Sequence, residues 1–490
     1  MSEPPVDQRQ TVEKAIFRLR DEQPELSGHR VLSGRQKVFL VAALGVSAAW
    51  AILNWMQFLI VVNALAMLYY LTLSVYKFYL IDLSLVSRKE IHVGQEELRL
   101  LSESDLPGYT ILVPLYRESE VLPELLRSLT QLDYPREKLD IILLLEKDDT
   151  ETRQAAARLR LPGFIRPEVV PDVGPRTKPK ACNWGLHLAR GKYLVIYDAE
   201  DRPERDQLKK AVTAFAQVSQ RVVCLQAKLN FYNPRQNLLS RLFTIEYSMW
   251  FDLFLPGLDY LTQPVPLGGT SNHFITEKLR ELRGWDPYNV TEDCDLGVRI
   301  AARGYQTRMI DSTTWEEACA HPFWWIRQRS RWIKGYLQTY LVHMRHPVRL
   351  WRRLGTSGTL GFHMMIGGTP ICLLINPIYW ALAGVWVVLR SEEVAGLFPY
   401  PTILAAMFSL FAGNFVFVYA GLLAAYRRRY YDLVKYALLM PIYWVMMSVG
   451  AWRGCLQLVR RASFWEKTQH GLAPTGEVKT TPATARKQTG

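Results

Sequence analysis

The sequence predicts an α/β domain built on a mostly parallel sheet and inserted between transmembrane helices. Across residues 105–344, short apolar runs alternate with amphipathic stretches of helical length. Strand–helix alternation of this kind favours a parallel sheet with right-handed crossovers. Other runs hold no Asp, Glu, Lys or Arg, namely residues 38–76, 354–389, 394–426 and 436–452. Because a spanning helix needs roughly 20 apolar residues, these runs indicate a multi-span membrane protein.

The strands of the predicted sheet are short apolar runs bounded by polar residues. They are residues 109–115, 139–145, 193–197, 222–226 and 306–310. The helices predicted between them are residues 121–132, 150–159, 181–190, 206–218 and 294–303.

The charge balance is basic, at +13, and its distribution follows the apolar runs. Arginines cluster in residues 345–353, 427–429 and 460–461. This placement favours the positive-inside effect and contact with anionic headgroups over nucleic-acid binding. The six cysteines show no paired spacing, which indicates a reducing compartment and argues against a structural zinc site.

The apolar runs divide the chain into segments. Residues 1–35 are expected to form a cytoplasmic tail, disordered or loosely attached, and residues 36–80 two transmembrane helices. Residues 81–345 form a cytoplasmic domain that ends in an interfacial helix. Residues 346–430 give an interfacial lead-in and two spans, 431–471 an interfacial segment, and 472–490 a disordered tail. This arrangement has four spans and both termini inside; a fifth span at residues 436–452 is the alternative.

Acidic residues follow the predicted strand 193–197 directly. Asp198, Glu200 and Asp201 are three acids within four residues, and Asp198 and Glu200 are spaced so that both carboxylates can hold one divalent cation. The crevice beyond parallel strand ends is where ligands bind in open α/β sheets. The alternative is a solvated acidic turn before a helix.

Polar groups also follow the first two strands. Residues 113–118 and 146–149 can accept hydrogen bonds from a base edge and a ribose hydroxyl, although loop solvation explains either segment equally well. Lys180 and Asn183 enter a helix and can face a phosphate at its N-terminus. The alternative there is an ordinary basic turn.

Two further motifs lie nearer the second membrane region. Asp293 can take a proton from an acceptor hydroxyl, whereas Thr291 of the same triplet can simply cap the helix. Gln328, Arg331 and Trp332 lie three and four residues apart, hence on one helix face. Arginine pairs with diphosphate and tryptophan stacks on sugar rings; an interfacial Arg-Trp belt is the alternative.

The order Asp198-Ala-Glu200, Thr-Glu-Asp293 and Gln-x-x-Arg-Trp332, between membrane segments, closely resembles the family-2 glycosyltransferases. Within that family it is similar to the membrane-embedded, processive type represented by cellulose, hyaluronan and poly-N-acetylglucosamine synthases. The resemblance covers about residues 105–344. It implies a GT-A fold with a Rossmann-like sheet, a nucleotide-sugar donor, Mg²⁺ or Mn²⁺, and an inverting mechanism.

The resemblance also implies roles for individual residues. Asp293 is the general base, with Glu292 beside it, and the metal ligands are Asp198 and Glu200, where the family usually has Asp in the second place. The nucleotide-sugar contacts are Pro114, Tyr116, Glu118, Glu146, Asp148, Lys180, Asn183 and Asp198. The acceptor and diphosphate contacts are Gln328, Arg331, Trp332, Gly269 and Thr270. The candidate gating loop comprises Phe464, Trp465, Lys467 and Thr468.

The expected activity is transfer of a sugar from UDP-glucose or UDP-N-acetylglucosamine to a growing β-linked polysaccharide, coupled to export. The expected location is the plasma (bacterial inner) membrane with the catalytic domain in the cytoplasm. The partners are the donor, a polysaccharide or lipid acceptor and membrane lipids, without nucleic acid. The rivals are a non-processive glycolipid synthase and a catalytically silent receptor or transport component.

Overall fold

The computed structural model describes residues 6–86 and 89–465 of the chain. The predicted tail 472–490 and the candidate gating residues Lys467 and Thr468 lie outside these ranges. The chain begins with three helices, α1 (Val6–Glu22), α2 (Gly34–Leu53) and α3 (Trp55–Val86). Helices α2 and α3 form a hairpin that turns at Asn54.

The N-terminal segment is docked on the domain, so the expectation of a disordered or loosely attached tail is wrong for residues 6–33. Ile16, Phe17 and Leu19 of α1 are buried. The Asn183 side-chain amide donates to the Ile16 carbonyl at 2.8 Å. The apolar side chains of α1 fall on one face and remove that face from water, which stabilises docking.

Hydrogen bonds also hold the segment between α1 and α2 against the domain. The Asp286 carboxylate accepts hydrogen bonds from the Gly28 N–H at 2.5 Å and the Ser27 hydroxyl at 3.0 Å. The Arg345 guanidinium donates to the Glu25 carbonyl at 2.7 Å. These bonds satisfy backbone groups that would otherwise need water.

The domain is built on a mixed, mostly parallel sheet. Its strands are β1 (Tyr109–Leu115), β2 (Leu139–Glu146), β3 (Ile165–Val170), β4 (Tyr193–Ile196), β5 (Arg202–Pro203), β6 (Val222–Phe231), β7 (Asn272–Ile275) and β8 (Gln306–Glu316). Their order is β3-β2-β1-β4-β7-β6-β8-β5. Strand β7 runs antiparallel between β4 and β6, and β5 runs antiparallel to β8. The predicted α/β fold class is confirmed.

Helices cover both faces of this sheet. They are α4 (Gln95–Arg99), α5 (Leu122–Thr130), α6 (Thr150–Arg158), α7 (Lys178–Leu188), α8 (Gln207–Gln217), α9 (Leu238–Met249), α10 (Leu255–Tyr260), α11 (Thr276–Glu281), α12 (Glu292–Ala302) and α13 (Pro322–His343). A π-helical turn, Trp250–Phe254, joins α9 to α10. Helix α10 then crosses α3 so closely that a Cβ at Gly257 would lie 2.5 Å from the Leu80 carbonyl oxygen. This contact ties the domain to the apolar hairpin.

The remaining helices are α14 (Pro347–Gly361), α15 (Gly368–Leu389), α16 (Glu392–Gly396), α17 (Tyr400–Phe408), α18 (Asn414–Arg427) and α19 (Met440–Arg460). A π-helical turn, Phe362–Gly367, joins α14 to α15, and another, Ser409–Gly413, joins α17 to α18. Gly355 interrupts α14 with a φ of +68°, a conformation that glycine adopts without strain. Residues 347–354 therefore form a separate lead-in before the apolar part of the run.

Within the described ranges, 4 helices are long and apolar enough to cross a membrane: Gly34–Leu53, Trp55–Val86, Pro347–Leu389 and Val434–Arg460. The last contains the stretch predicted to lie at the interface. Its length and composition permit the span that is the sequence-based alternative. The joined helices α17 and α18 occupy the run in which a further span is predicted.

We expect Ile16→Ala to release α1 from the domain. Truncating a buried isoleucine removes about 2–5 kcal/mol, so the undocked population should rise at least about tenfold. Limited trypsin digestion, scored by cleavage after Arg20, measures this population. Glu13→Ala on the exposed side of α1 is the matched control, and equal cleavage of both variants would contradict the docking.

Candidate active site

Acidic side chains that follow β4 meet the end of β8. We call Asp198, Glu200, Asp201 and Glu316 the acidic cluster. The Asp201 carboxylate accepts a hydrogen bond from the Asp198 N–H at 2.7 Å and another from the Thr270 hydroxyl. Burial raises the pKa of Asp201 well above its usual range, and the charges of Asp198 and Glu200 raise it further. Burial and the same neighbours also raise the pKa of Glu316. Raised pKa values favour the protonated forms of Asp201 and Glu316, and a cation placed among the four carboxyl groups would favour their ionised forms.

Lys178, at the start of α7, is a cation in this cleft. Its Nζ lies 2.5 Å from Asp198 Oδ1 and donates to the Gly269 carbonyl at 2.7 Å. Although burial alone would lower the pKa of Lys178, the carboxylates of Asp198 and Glu292 raise it overall. The ammonium therefore stays charged beside the strand end.

The same contacts bring the helix α12 motif into the cleft. A Cβ added at Gly269 would lie 3.4 Å from Asp293 Oδ2 and 3.8 Å from Lys178 Nζ. Gly269 thus lets the backbone approach both side chains. The structure brings together Asp198, Gly269 and Asp293, which are far apart in sequence.

The two acids of the motif differ in burial and charge. Burial raises the pKa of Glu292 to about 8, and the charge of the neighbouring Asp293 is the next largest cause. Glu292 is therefore mainly protonated at pH 7. Burial also raises the pKa of Asp293, while the Cys294 N–H, Lys178 and Arg331 act in the opposite direction. Asp293 is more accessible than Glu292. Of the two, Asp293 is the better placed to accept a proton.

Arg331 and Gln328, on α13, present unpartnered polar atoms. Within residues 6–86 and 89–465, buried Arg331 Nε has no hydrogen-bond acceptor and buried Gln328 Oε1 has no donor. Burial lowers the pKa of Arg331, whereas Glu292, Asp293 and Asp198 raise it. Unpaired buried polar atoms are uncommon in folded proteins, so a ligand is a natural partner for these two.

Trp332 stands beside a buried ion pair. The Arg329 guanidinium lies 4.5 Å from the centre of the Trp332 ring and bonds to the Glu246 carboxylate at 2.7 Å. Trp332 also packs against Phe243 and Tyr247, with ring centres 6.1 Å away in each case. These contacts fix the half-buried indole without enclosing it.

The end of the described chain returns to α13. The Arg331 guanidinium lies 4.6 Å from the Trp465 ring centre, within cation–π range. The Lys334 ammonium donates to the Phe464 carbonyl at 2.7 Å. Two of the candidate gating residues therefore contact the helix that carries Arg331.

A second group of predicted residues lies at the ends of β1 and β2. Pro114 is half-buried in β1. The Tyr116 hydroxyl donates to Asp148 at 3.4 Å, and the Tyr116 N–H donates to Glu118 at 3.3 Å. Arg176 binds the same Asp148 carboxylate at 2.8 Å. Asp148 is exposed, whereas Glu146 and Asp149 are buried, so Asp148 is the accessible acid of the 146–149 segment.

Two predicted phosphate contacts are occupied elsewhere, and the structure does not bring them to the cleft. Lys180 is completely buried, and its Nζ lies 2.6 Å from Glu146 Oε2. Glu146 is therefore engaged as well. Asn183 is buried. Its side-chain N–H donates to the Trp285 carbonyl at 2.8 Å, and its side-chain oxygen accepts from the Trp285 N–H at 2.9 Å. Lys178, two residues earlier, is the lysine that lies in the cleft.

The acidic cluster fits a divalent cation. Its oxygen donors suit Mg²⁺ or Mn²⁺, and the Asp201 Oδ1 atom is buried without a partner in the described part of the chain. Among the described residues no three His, Cys, Asp or Glu side chains converge as a complete ligand set. Magnesium in phosphate sites is commonly held by one or two carboxylates together with substrate phosphates, so an incomplete protein shell is expected.

Sequence and structure comparisons identify the domain. Residues 107–335 match the family described as glycosyltransferase like family 2. The chain is 26% identical over 254 residues to the probable glycosyltransferase YdaM of Bacillus subtilis, covering 51% of this chain and 60% of the relative. It is 25% identical over 264 residues to a beta-monoglucosyldiacylglycerol synthase of Trichormus variabilis, covering 52% of this chain and 54% of the relative. The chain therefore spans little more than half the length of these relatives.

A solved structure shares the fold. The mannosyltransferase PcManGT of Pyrobaculum calidifontis, in complex with GDP-Man and Mn²⁺, superposes with a TM-score of 0.53 at 18% identity. The superposition covers 82% of this chain and 99% of that one. The predicted GT-A fold is confirmed. Residues 107–335 of this chain therefore resemble the family-2 glycosyltransferases in sequence and share the GT-A fold.

Proposed function

We propose that the chain is an inverting glycosyltransferase that moves a sugar from a nucleoside-diphosphate donor to an acceptor hydroxyl. The observation that carries this proposal is the convergence of Asp198, Lys178 and Asp293 on one cleft beside Gly269. Cationic groups for a diphosphate and a carboxylate for an acceptor hydroxyl then stand within reach of one substrate. The family-2 domain supports the same reaction class.

The donor occupies the crevice beyond the strand ends. Tyr116 and Asp148 at the ends of β1 and β2 bind the nucleoside, and Lys178 binds the diphosphate. The acidic cluster holds Mg²⁺ or Mn²⁺, which when bound neutralises charge on the leaving diphosphate. Arg331 supplies a protein cation to the same group, and its unpaired Nε atom gives it a donor to offer. UDP-glucose or UDP-N-acetylglucosamine is the expected donor.

The acceptor approaches from the side of α13. Asp293 removes the proton of the attacking hydroxyl as the new bond forms at the anomeric carbon and the bond to the diphosphate breaks. Attack from the opposite face converts an α-linked donor into a β-linked product. Trp332 provides the apolar ring surface for a sugar, and Gln328 Oε1 accepts a hydrogen bond from it.

The acceptor is a growing β-linked polysaccharide, made processively and exported through the spans. The contact of Trp465 with Arg331 supports this version, because a covering loop at the diphosphate can alternate between open and closed states. A second candidate is single transfer to a glycolipid, which the glycolipid synthase relative favours. In both versions the domain lies on the cytoplasmic side of the plasma (bacterial inner) membrane, beneath the apolar helices.

The product distinguishes these versions. Membranes containing the chain are incubated with a panel of radiolabelled nucleotide sugars, and the product is separated by size and by solvent extraction. A labelled polymer is expected. A single-sugar lipid would select the glycolipid version, and no transfer from any donor would contradict both.

Asp293→Asn should lower transfer by about 10²–10⁴-fold, because the acceptor hydroxyl loses its base. Donor affinity, measured by calorimetry with the nucleoside diphosphate, should change by less than about twofold, since the base does not contact the nucleotide. Glu292→Gln is the neighbouring control and should lose much less activity, because Glu292 is already mainly neutral at pH 7. Equal losses of transfer would contradict the assignment of the base.

Lys178→Gln and Lys180→Gln should fail in different ways. The first removes a charge-assisted contact to the diphosphate, so donor affinity should fall roughly tenfold to a hundredfold. The second leaves Glu146 buried without its partner and should lower the free energy of unfolding by about 3–5 kcal/mol. Donor titration and thermal unfolding of both variants test this. Weaker donor binding in Lys180→Gln alone would restore the sequence-based choice.

A further inference from the structure

A basic cavity lies away from the cleft, where the N-terminal segment, α12, the end of α13 and the start of α14 meet. It is open to solvent on one side. Its charged lining comprises Glu25, Arg299, Arg303, His346, Arg349 and Arg353. The proposed transfer reaction uses none of these side chains.

The lining arginines fall into two groups. Arg299 is buried and bound to Asp295, which also binds His343, so this group is structural. Arg303 and Arg353 are exposed, and the charge of Arg303 reaches the Glu281 carboxylate closely enough to help lower its pKa. Arg349 Nη1 lies 4.0 Å from Glu25 Oε1, which is the longest distance of an ion pair. Positive charge therefore exceeds negative charge at the mouth of the cavity, which suits an anionic ligand.

The position of the cavity indicates where that anion comes from. Two candidate spans begin beside it. Pro347–Leu389 starts with the residues that line the cavity, and Gly34–Leu53 starts where the Gln36 amide donates to the Leu341 carbonyl at 2.8 Å. Helix α2 is 0% buried over its apolar window, so it needs lipid around it. The cavity thus lies at the level where apolar helices leave the domain.

The lead-in 347–354 separates its residues accordingly. Arg349 and Arg353, one helical turn apart, line the cavity together with buried Leu350. Val348 and Trp351 are 60% and 51% exposed on the other side, where an interfacial helix presents apolar residues to a bilayer. Arg352 lies on that side too. One face therefore carries Val348, Trp351 and Arg352, while the other carries the cavity-lining Arg349 and Arg353.

We propose that this cavity binds the phosphate headgroup of an anionic membrane lipid, with Arg303, Arg349 and Arg353 as its ligands. Each basic residue near an anionic headgroup raises the affinity for the lipid by about fivefold. The site would fix the domain to one leaflet, independently of which sugar is transferred. The arginines of the cavity bind the phosphate, and the exposed side chains of Val348 and Trp351 place the cavity at the bilayer surface.

Native mass spectrometry of the detergent-solubilised full chain tests this site. The chain is titrated with palmitoyl-oleoyl phosphatidylglycerol and, separately, with the zwitterionic phosphatidylcholine of the same chains. We expect the first phosphatidylglycerol to bind at least about tenfold more tightly than phosphatidylcholine, and the combined Arg303→Gln, Arg349→Gln and Arg353→Gln variant to lose this preference. Equal binding of the two lipids would overturn the proposal.

Arg352→Gln is the matched control, because it removes the same charge from the same helix turn outside the cavity. It should change the first binding step by less than about twofold; a loss equal to that of the triple variant would mean diffuse attraction and no site. Inorganic phosphate at millimolar concentration is added in a further arm, and displacement of the lipid by it would assign the cavity to a soluble anion. If the triple variant unfolds, the single Arg353→Gln variant of this exposed residue is scored in its place and should lose about fivefold.

Discussion

The contact of Lys178 with Asp198 and the Gly269 carbonyl is the interaction on which the cleft depends. It joins the start of α7, the end of β4 and the loop before β7. Carboxylates gathered at a strand end repel one another, and burial increases that repulsion. A fixed ammonium reduces it before any substrate arrives. In the proposed reaction the same ammonium binds the diphosphate of the donor, so one group would serve both the folded state and the substrate.

Much of this arrangement could be predicted from sequence. The apolar runs that form β1, β2 and β4 are buried on both faces, a pattern typical of central parallel strands, and acids lie at the ends of β2 and β4. Strands β3 and β7 were missed for a physical reason. Strand β3 lies at the sheet edge, alternates buried with exposed residues and contains Pro167, while β7 is short and antiparallel. Neither has the continuous apolar run on which the prediction relied.

The differences between the predicted residues and those that line the cleft have a similar origin. Lys178 and Lys180 are two residues apart, and sequence spacing alone does not tell which one faces the cleft. That depends on the side to which α7 turns, which the packing of Gly185 against Leu112 and Leu144 helps to set. Glu316 was missed because β8 continues beyond the apolar run at which it was predicted to end. The N-terminal segment looked polar because only one face of α1 is apolar, and its binding surface is formed by residues far along the chain.

Asn183 joins that segment to the rest of the fold, since its amide binds Ile16 of α1 and the Trp285 backbone at once. The hydrogen bond from Ser27 to Asp286 likewise cannot form until Asp286, 259 positions later, has been synthesised. At roughly 5–20 residues per second on the ribosome, that separation corresponds to a delay of about 13–50 s. During this interval the first apolar hairpin has already been synthesised and can enter the bilayer. The leading helix therefore closes the structure late, although it is translated first.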